Sequence, residues 1–193
     1  MKKLFFILLL AAASVCSAQN DILKVGMKYQ GGIIAYILEK KDPGYDPAVQ
    51  HGLIVALSDI PDDTHWWNGS YVTTTGTDKT GLPSVLGSGN SNTEAIVAKQ
   101  GEANIADYNA NYAAMVCYNY SVEGYSDWYL PSKEELNKIY LNRNLLGGLK
   151  GVYWSSTDLD MTHAWMQNFD TEKKSSLSNS KNTYCRIRPV RSF

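Results

Sequence analysis

Short stretches near both ends of the chain alternate hydrophobic with polar residues or are hydrophobic throughout, and both patterns are typical of β-strands. Several are rich in β-branched and aromatic residues. The predicted strands cover residues 30–38, 52–57, 152–157, 163–170 and 183–191. In the last one, Cys185 and Ile187 alternate with Tyr184, Arg186 and Arg188. We therefore expect one apolar face and one polar, cationic face there.

Helical spacing dominates the middle of the chain. A short helix is predicted over 92–100, and apolar residues three and four apart predict a longer one over 103–118. Ser132 and Glu135 form a capping-box pattern, which predicts the start of a third helix that ends before Gly147.

The order of these elements, strands then helices then strands, predicts an α+β fold in which the late strands pair with the early ones. Residues 58–92 are loop-rich, and the pair Trp66 and Trp67 within them more often anchors a loop than stands exposed. No long polar linker and no internal repeat divides the chain, so we expect one domain over residues 19–193.

The first eighteen residues have the layout of a secretory signal peptide: a short basic start, a ten-residue apolar run and small residues up to Ala18. We expect cleavage after Ala18 and export to the periplasm, the cell surface or the medium, with lipidation of Cys16 as the alternative. The apolar run is shorter than the roughly 20 residues that cross a bilayer. No other stretch approaches that length, so we expect no membrane span.

The chain has 193 residues and a formal net charge of −1. This balance argues against a dedicated nucleic-acid binder, which would carry a basic excess. With 11% aromatic and 19% charged residues, the composition also argues against disorder.

Four motifs follow one another in the second half of the chain. They are GYSDWYLPSKEEL at 124–136, YWSST at 153–157, AW at 164–165 with Phe169, and RPVRSF at 188–193. In this order they resemble a family of secreted bacterial domains named after the C-terminal domain of the Legionella collagen-like adhesin (Lcl), which includes a major paralogous family of Fibrobacter proteins. The early segments GGIIAYI and HGLIVAL extend the likeness to about residues 31–193.

This resemblance implies a C-type-lectin-like fold, with a mainly antiparallel sheet that joins the N- and C-terminal strands, two flanking helices and a loop-rich ligand face. The family is also similar to the variable proteins of diversity-generating retroelements. The Lcl domain itself is associated with sulfated glycosaminoglycans. Fold alone does not decide function, so the ligand is argued from residues.

The polar segments between the structural motifs are rich in Ser, Asn and Asp and lie beside two tryptophans, a mixture typical of binding surfaces. We therefore expect a ligand face along residues 158–182. The candidate ligand-binding residues are Trp154, Asp158, Asp160, Thr162, His163, Trp165, Gln167, Asn168, Lys173, Lys174, Lys181 and Asn182. The alternative is that both tryptophans belong to the core and the polar segments are ordinary loops.

Residues 163–193 carry six Lys or Arg and two acidic residues, an excess that could steer a sulfated or carboxylated glycan. For Arg188 and Arg191 we favour the alternative that they pair with acids inside the scaffold.

Calcium, metal and enzyme motifs are weak. Asp158, Asp160 and Asp170 are close in sequence, but the paired sugar-binding motifs of calcium lectins are missing, so we expect solvated acids, no metal and no cofactor. No two histidines have a zinc-binding spacing, and no GxSxG motif occurs.

Cys117 and Cys185 are expected to be buried thiols. The alternatives are a disulfide, or a redox pair like that of formylglycine-generating enzymes, which share the broad fold.

The sequence thus predicts a secreted, non-enzymatic binding or adhesion module whose partner is a glycan or another extracellular macromolecule, with no nucleic-acid partner. A retroelement-diversified receptor for protein ligands and an enzyme of unknown reaction on the same scaffold are the alternatives. The oligomeric state is left open.

Overall fold

The computed structural model describes residues 22–69, 81–101, 111–170 and 176–193. The predicted signal peptide, residues 1–18, lies outside them. The strands are β1 (Lys28–Tyr29), β2 (Gly32–Ile37), β3 (Gly52–Ala56), β4 (Val152–Asp158), β5 (His163–Asn168), β6 (Ser176–Ser180) and β7 (Val190–Ser192). The helices are α1 (Gly89–Gln100), α2 (Ala113–Tyr118), α3 (Lys133–Leu141) and α4 (Arg143–Leu146). None of the described helices is long and apolar enough to cross a membrane.

The first sheet joins the two ends of the domain. Its strand order is β1-β2-β3-β7, and every neighbouring pair is antiparallel. The last strand pairs with β3, with Leu53 opposite Ser192 and Val55 opposite Val190. This confirms that a late strand pairs with an early one.

A second antiparallel sheet, in the order β4-β5-β6, contains the other late strands, so the fold is α+β with two sheets rather than one. Helix α1 packs against β4, and α3 packs against β5. The outer strand β6 falls where the sequence predicts an exposed polar loop. Its residues Ser176–Ser180 have no hydrophobic alternation that could have predicted it.

The predicted strand over 183–191 is only partly a regular strand. Its last residues begin β7, whereas Cys185 forms an isolated antiparallel bridge with Thr64 and Arg186 a parallel one with Tyr153. The predicted alternation is nevertheless present up to Ile187, because Cys185 and Ile187 are buried while Tyr184 is exposed. At the next position the pattern fails, since Arg188 is also buried.

The helix signals have mixed outcomes. The capping box at α3 is confirmed, with Ser132 and Glu135 each accepting a hydrogen bond from the other's backbone amide. Helix α1 begins at Gly89, earlier than predicted, and ends at Gln100 as predicted, with Gly101 as its C-cap. Of the helix predicted over 103–118, only Ala113–Tyr118 is a described helix, and residues 102–110 lie outside the described residues. Tyr112 has an extended backbone, so it precedes α2 rather than lying in it.

The core is rich in tryptophan. Trp66, Trp128 and Trp154 are almost completely buried, and Trp67 is 5% exposed, which confirms that the Trp66–Trp67 pair anchors its loop. The Trp66 indole donates a hydrogen bond to the Ser155 carbonyl at 2.8 Å, which ties the loop to β4.

Two arginines near the C-terminus pair with acids of the scaffold, as predicted. Arg188 is buried and lies 2.7 Å from Asp59, and Arg191 binds Asp127 through two hydrogen bonds of 2.7 and 2.8 Å. The Arg191 guanidinium lowers the pKa of Asp127 from its usual range. These cations therefore hold the end of the chain in place and are not available to steer a ligand.

A buried ion pair links the end of β4 to the residue after β6. The Lys181 ammonium lies 3.2 Å from Asp158 and 4.4 Å from the centroid of a Trp66 ring. Asp158 also accepts a 2.6 Å hydrogen bond from the Leu82 amide. Burial lowers the pKa of Lys181, while the attraction of Asp158 opposes this shift. Removing one partner of such a pair leaves an uncompensated buried charge.

We predict that Lys181→Met lowers the free energy of unfolding by about 3–5 kcal/mol, because the Asp158 carboxylate then stays buried without its cation. Adding Asp158→Asn should recover at least about 1 kcal/mol, since Asn removes the charge and still accepts the Leu82 hydrogen bond. Urea unfolding measures the free energy of unfolding of both variants, with Lys150→Met, a substitution of an exposed lysine, as the control. A Lys181→Met cost no larger than that of the control would contradict the buried pair.

Candidate functional site

Four of the predicted ligand-binding residues are inside the protein, so the expectation that they line an exposed face is wrong. The Trp154 side chain is completely buried, and its indole donates to the Thr64 carbonyl at 3.0 Å. Gln167 is buried and accepts a hydrogen bond from the Ser176 hydroxyl. Asp158 and Lys181 form the buried ion pair, so Asp158 is not a solvated acid.

Two further candidates, Lys173 and Lys174, lie outside the described residues. We use the name C-terminal face for the six remaining candidates of the predicted ligand face: Asp160, Thr162, His163, Trp165, Asn168 and Asn182. Asp160, Thr162 and Asn182 are exposed and the other three are half-buried. Asn168 is an odd number of residues from Trp165 along β5, so its side chain projects from the opposite side of the strand. The structure therefore does not bring all six together.

Asp160 organises the turn between β4 and β5. Its carboxylate accepts hydrogen bonds from the Thr162 amide and hydroxyl and from the His163 amide, and it lies 3.1 Å from the His163 ring. Burial raises the pKa of Asp160, but these hydrogen bonds outweigh it and lower the pKa to about 2. Most of the hydrogen-bonding capacity of the Asp160 carboxylate is therefore used within its own turn.

Trp165 is also partly occupied. The Lys133 ammonium, from the first residue of α3, lies 3.3 Å from the centroid of the Trp165 ring. A sugar that stacked on that side of the indole would have to displace the lysine.

The structure also contains a concave feature, which we call the Tyr184 cavity. Its volume is about 810 Å³. It is lined by Ile60, Asp62, Asp63, Thr64, His65, Trp67, Asn111, Val116, Asn119 and Tyr184. This volume is within the range of about 300–1,000 Å³ that is typical of small-molecule sites.

Backbone hydrogen bonds fix the wall of the cavity on two sides. Thr64 and Cys185 exchange hydrogen bonds of 3.0 and 3.2 Å, which joins the loop after β3 to the segment before β7. On the other side the Ala113 amide donates to the His65 carbonyl at 2.9 Å, and the Thr64 hydroxyl donates to the Asn111 carbonyl. Three distant parts of the chain therefore meet at one fixed wall.

Two aromatic rings in contact with each other belong to the lining of the cavity. The His65 and Tyr184 rings have centroids 3.9 Å apart at an interplanar angle of 42°. Tyr184 is still 64% exposed, because Cys185 takes the inward position of the alternating segment. Trp67 also belongs to the lining and is nearly buried.

The described lining has two acidic residues, Asp62 and Asp63, and no Lys or Arg. Both acids are exposed. Burial, with a smaller contribution from the Asp63 charge, raises the pKa of the Cys185 thiol to about 12. Burial also raises the pKa of Cys117 well above its usual value. Both cysteines are buried and unbridged, which confirms the prediction of buried thiols and contradicts the disulfide alternative.

Within the part of the chain that the structure describes, no three His, Cys, Asp or Glu side chains gather in a way that could hold a metal ion. The three acids considered for calcium make separate contacts. Asp158 binds Lys181, Asp160 closes its turn, and Asp170 accepts a hydrogen bond from the Gly151 amide.

Sequence reasoning missed most of the cavity. It singled out the loop with Trp66 and Trp67 and the strand with Tyr184, but nothing in their spacing shows that they meet. The one available signal was local: Asp62, Asp63 and His65 directly precede the tryptophan pair, which is a polar and aromatic mixture in a loop.

Comparison with known families gives a clear result for this chain. The model of the Lcl C-terminal domain matches residues 65–191. The chain belongs to the Lcl C-terminal domain family. The match begins at His65 and includes Tyr184, so both rings of the cavity lie within the family domain.

Among solved structures, the chain is similar to a fimbrial protein from Bacteroides ovatus ATCC 8483, with 15% sequence identity and a TM-score of 0.45. The alignment covers 82% of this chain and 43% of the fimbrial protein, so the chain spans less than half of that structure. No curated protein matches the chain.

We predict that the Asp160 carboxyl titrates at about pH 2 instead of near its usual 3.8, because the turn stabilises the charged form. Its contribution to stability should be fully present above about pH 4 and disappear as the pH falls through about 2. Carbon-13 NMR titration of the carboxyl measures this directly. Thr162→Val, which removes only the hydroxyl hydrogen bond, should move the midpoint upward. A wild-type midpoint near 4 would contradict the turn geometry.

Proposed function

We propose that this protein is an exported, non-enzymatic binding module of the surface-adhesion type, which recognises carbohydrate on an extracellular partner. Membership in the Lcl C-terminal domain family supports this class of function. The signal-peptide pattern of residues 1–18 supports export.

We further propose that the scaffold is C-type-lectin-like. The arrangement of the described residues supports this: the N- and C-terminal strands share one antiparallel sheet, and a second sheet carries helices α1 and α3. In a scaffold of this kind, ligand specificity depends on loops supported by rigid strands.

The Tyr184 cavity is the observation that carries the proposal. Its wall is held by backbone hydrogen bonds, so little conformational entropy is lost when a ligand enters. Tyr184 and His65 offer a ring face on which a sugar can pack, and the asparagine and aspartate side chains in the described lining can bond to hydroxyl groups. The C-terminal face supports the proposal less, because Asp160 and Trp165 already have partners within the protein.

The chemistry of the reactive groups supports binding over catalysis. Both thiols are buried, and their raised pKa values keep them protonated near neutral pH, where the nucleophilic form would be the thiolate. Asp59, another candidate acid or base, is shared between Arg186 and Arg188.

The proposal is tested by screening the protein on a broad glycan array and then titrating it with the glycan that binds most tightly. We predict that Tyr184→Ala weakens binding by about tenfold, which corresponds to about 1.4 kcal/mol, through loss of ring contact. The melting temperature should change little, since Tyr184 is mostly exposed.

The matched control is Tyr45→Ala, which removes another exposed tyrosine from a loop outside the cavity and should leave binding unchanged. Two results would contradict the proposal: no glycan binds, or binding is insensitive to Tyr184→Ala. Binding to a surface extract that survives enzymatic deglycosylation would instead indicate a protein ligand.

A further inference from the structure

We infer that the Tyr184 cavity selects sugars with a free, protonated amine over acidic sugars and over neutral sugars of the same size. The inference rests on the proposed carbohydrate-binding function and adds the charge of the ligand to it. It follows from which charges among the described residues of the cavity wall are paired with other described residues and which are not.

Three cations lie in or next to the segment before β7 that forms part of the cavity wall, and their acidic partners are outside the cavity lining. Arg186 and Arg188 lie 3.2 and 2.7 Å from Asp59, and Lys181 lies 3.2 Å from the buried Asp158. None of these residues lines the cavity. Most of the positive charge near the C-terminus is therefore paired with acidic residues of the scaffold.

The acids of the lining differ from these cations. Asp62 and Asp63 are adjacent, exposed and part of the cavity lining. No salt bridge joins either of them to a described Lys, Arg or His. A sulfated or carboxylated sugar in this cavity would face two like charges, whereas an ammonium group would be attracted to both.

The aromatic side of the cavity favours the same ligand. A cation over the face of a tyrosine ring is attracted by its π-electrons, and Tyr184 is a largely exposed residue of the cavity lining. The ring can also contact the apolar face of the sugar. The acidic pair and the ring thus recognise two features of one amino sugar, its ammonium group and its ring face.

The test compares three oligosaccharides of equal length by isothermal titration calorimetry at a pH where the amine is protonated. They are a glucosamine oligomer with free amines, its fully N-acetylated form and a sulfated heparin fragment. We expect the free-amine oligomer to bind about tenfold more tightly than the acetylated one, the equivalent of one good charge-assisted contact. The heparin fragment should not compete, and only the free-amine affinity should fall as salt is added.

The double variant Asp62→Asn, Asp63→Asn should abolish the preference for the free amine, so that the free-amine and acetylated oligomers bind with equal affinity, since Asn removes both charges and keeps a hydrogen-bonding oxygen. Glu39→Gln removes one exposed acidic charge outside the cavity and serves as the control. Melting curves establish that each variant is folded.

The outcomes separate this inference from the proposed function. If the acetylated oligomer binds and Tyr184→Ala weakens it, but the amine gives no advantage or heparin binds more tightly, the charge selectivity is wrong and the carbohydrate site stands. If none of the three oligomers binds and the glycan array is also negative, the proposed function itself is wrong.

Discussion

One long antiparallel pairing organises this domain. It begins where Gly52 and Phe193 exchange backbone hydrogen bonds of 3.2 Å, and it continues through β3 and β7. Beyond the strands the pairing continues with shifts of register. The Ile60 amide donates to the Ile187 carbonyl, and Thr64 and Cys185 exchange hydrogen bonds. The Trp66 amide then donates to the Lys181 carbonyl. The regular part of the pairing builds the first sheet, and the irregular part builds the wall of the Tyr184 cavity.

The ion pairs reinforce the same pairing. Asp59 follows β3 and binds two arginines of the opposite segment, so it acts as a clamp near the middle of the pairing. Lys181 and Asp158 connect its far end to the second sheet. Because these cations serve the scaffold, the charged side chains in the described lining of the cavity are acidic although the C-terminal part of the sequence is basic.

The features that could be predicted from the sequence depend on residues that are close together along the chain. The capping box of Ser132 and Glu135 depends on a three-residue spacing, and the inward positions of Cys185 and Ile187 depend on a two-residue alternation. The family motifs also allowed the likeness to the Lcl C-terminal domain to be seen.

The errors concern contacts between residues far apart in the chain. Asp158 and Lys181 look like solvated residues in sequence, and their pairing across 23 positions offsets part of the cost of burying both charges. The cavity likewise needs the segments around residues 60–67, 111–119 and 184 to meet, and no local pattern encodes such a meeting. Strand β6 lacks a hydrophobic pattern because it is an outer strand with mostly exposed side chains.

Amide hydrogen exchange tests the central claim that this pairing continues beyond the regular strands into the cavity wall. The account predicts that the amides of Thr64, Trp66 and Cys185, each a hydrogen-bond donor in the pairing, are protected to a degree comparable with those of β3. The account would be contradicted if these three amides exchanged as fast as those of exposed loops while the β3 amides stayed protected.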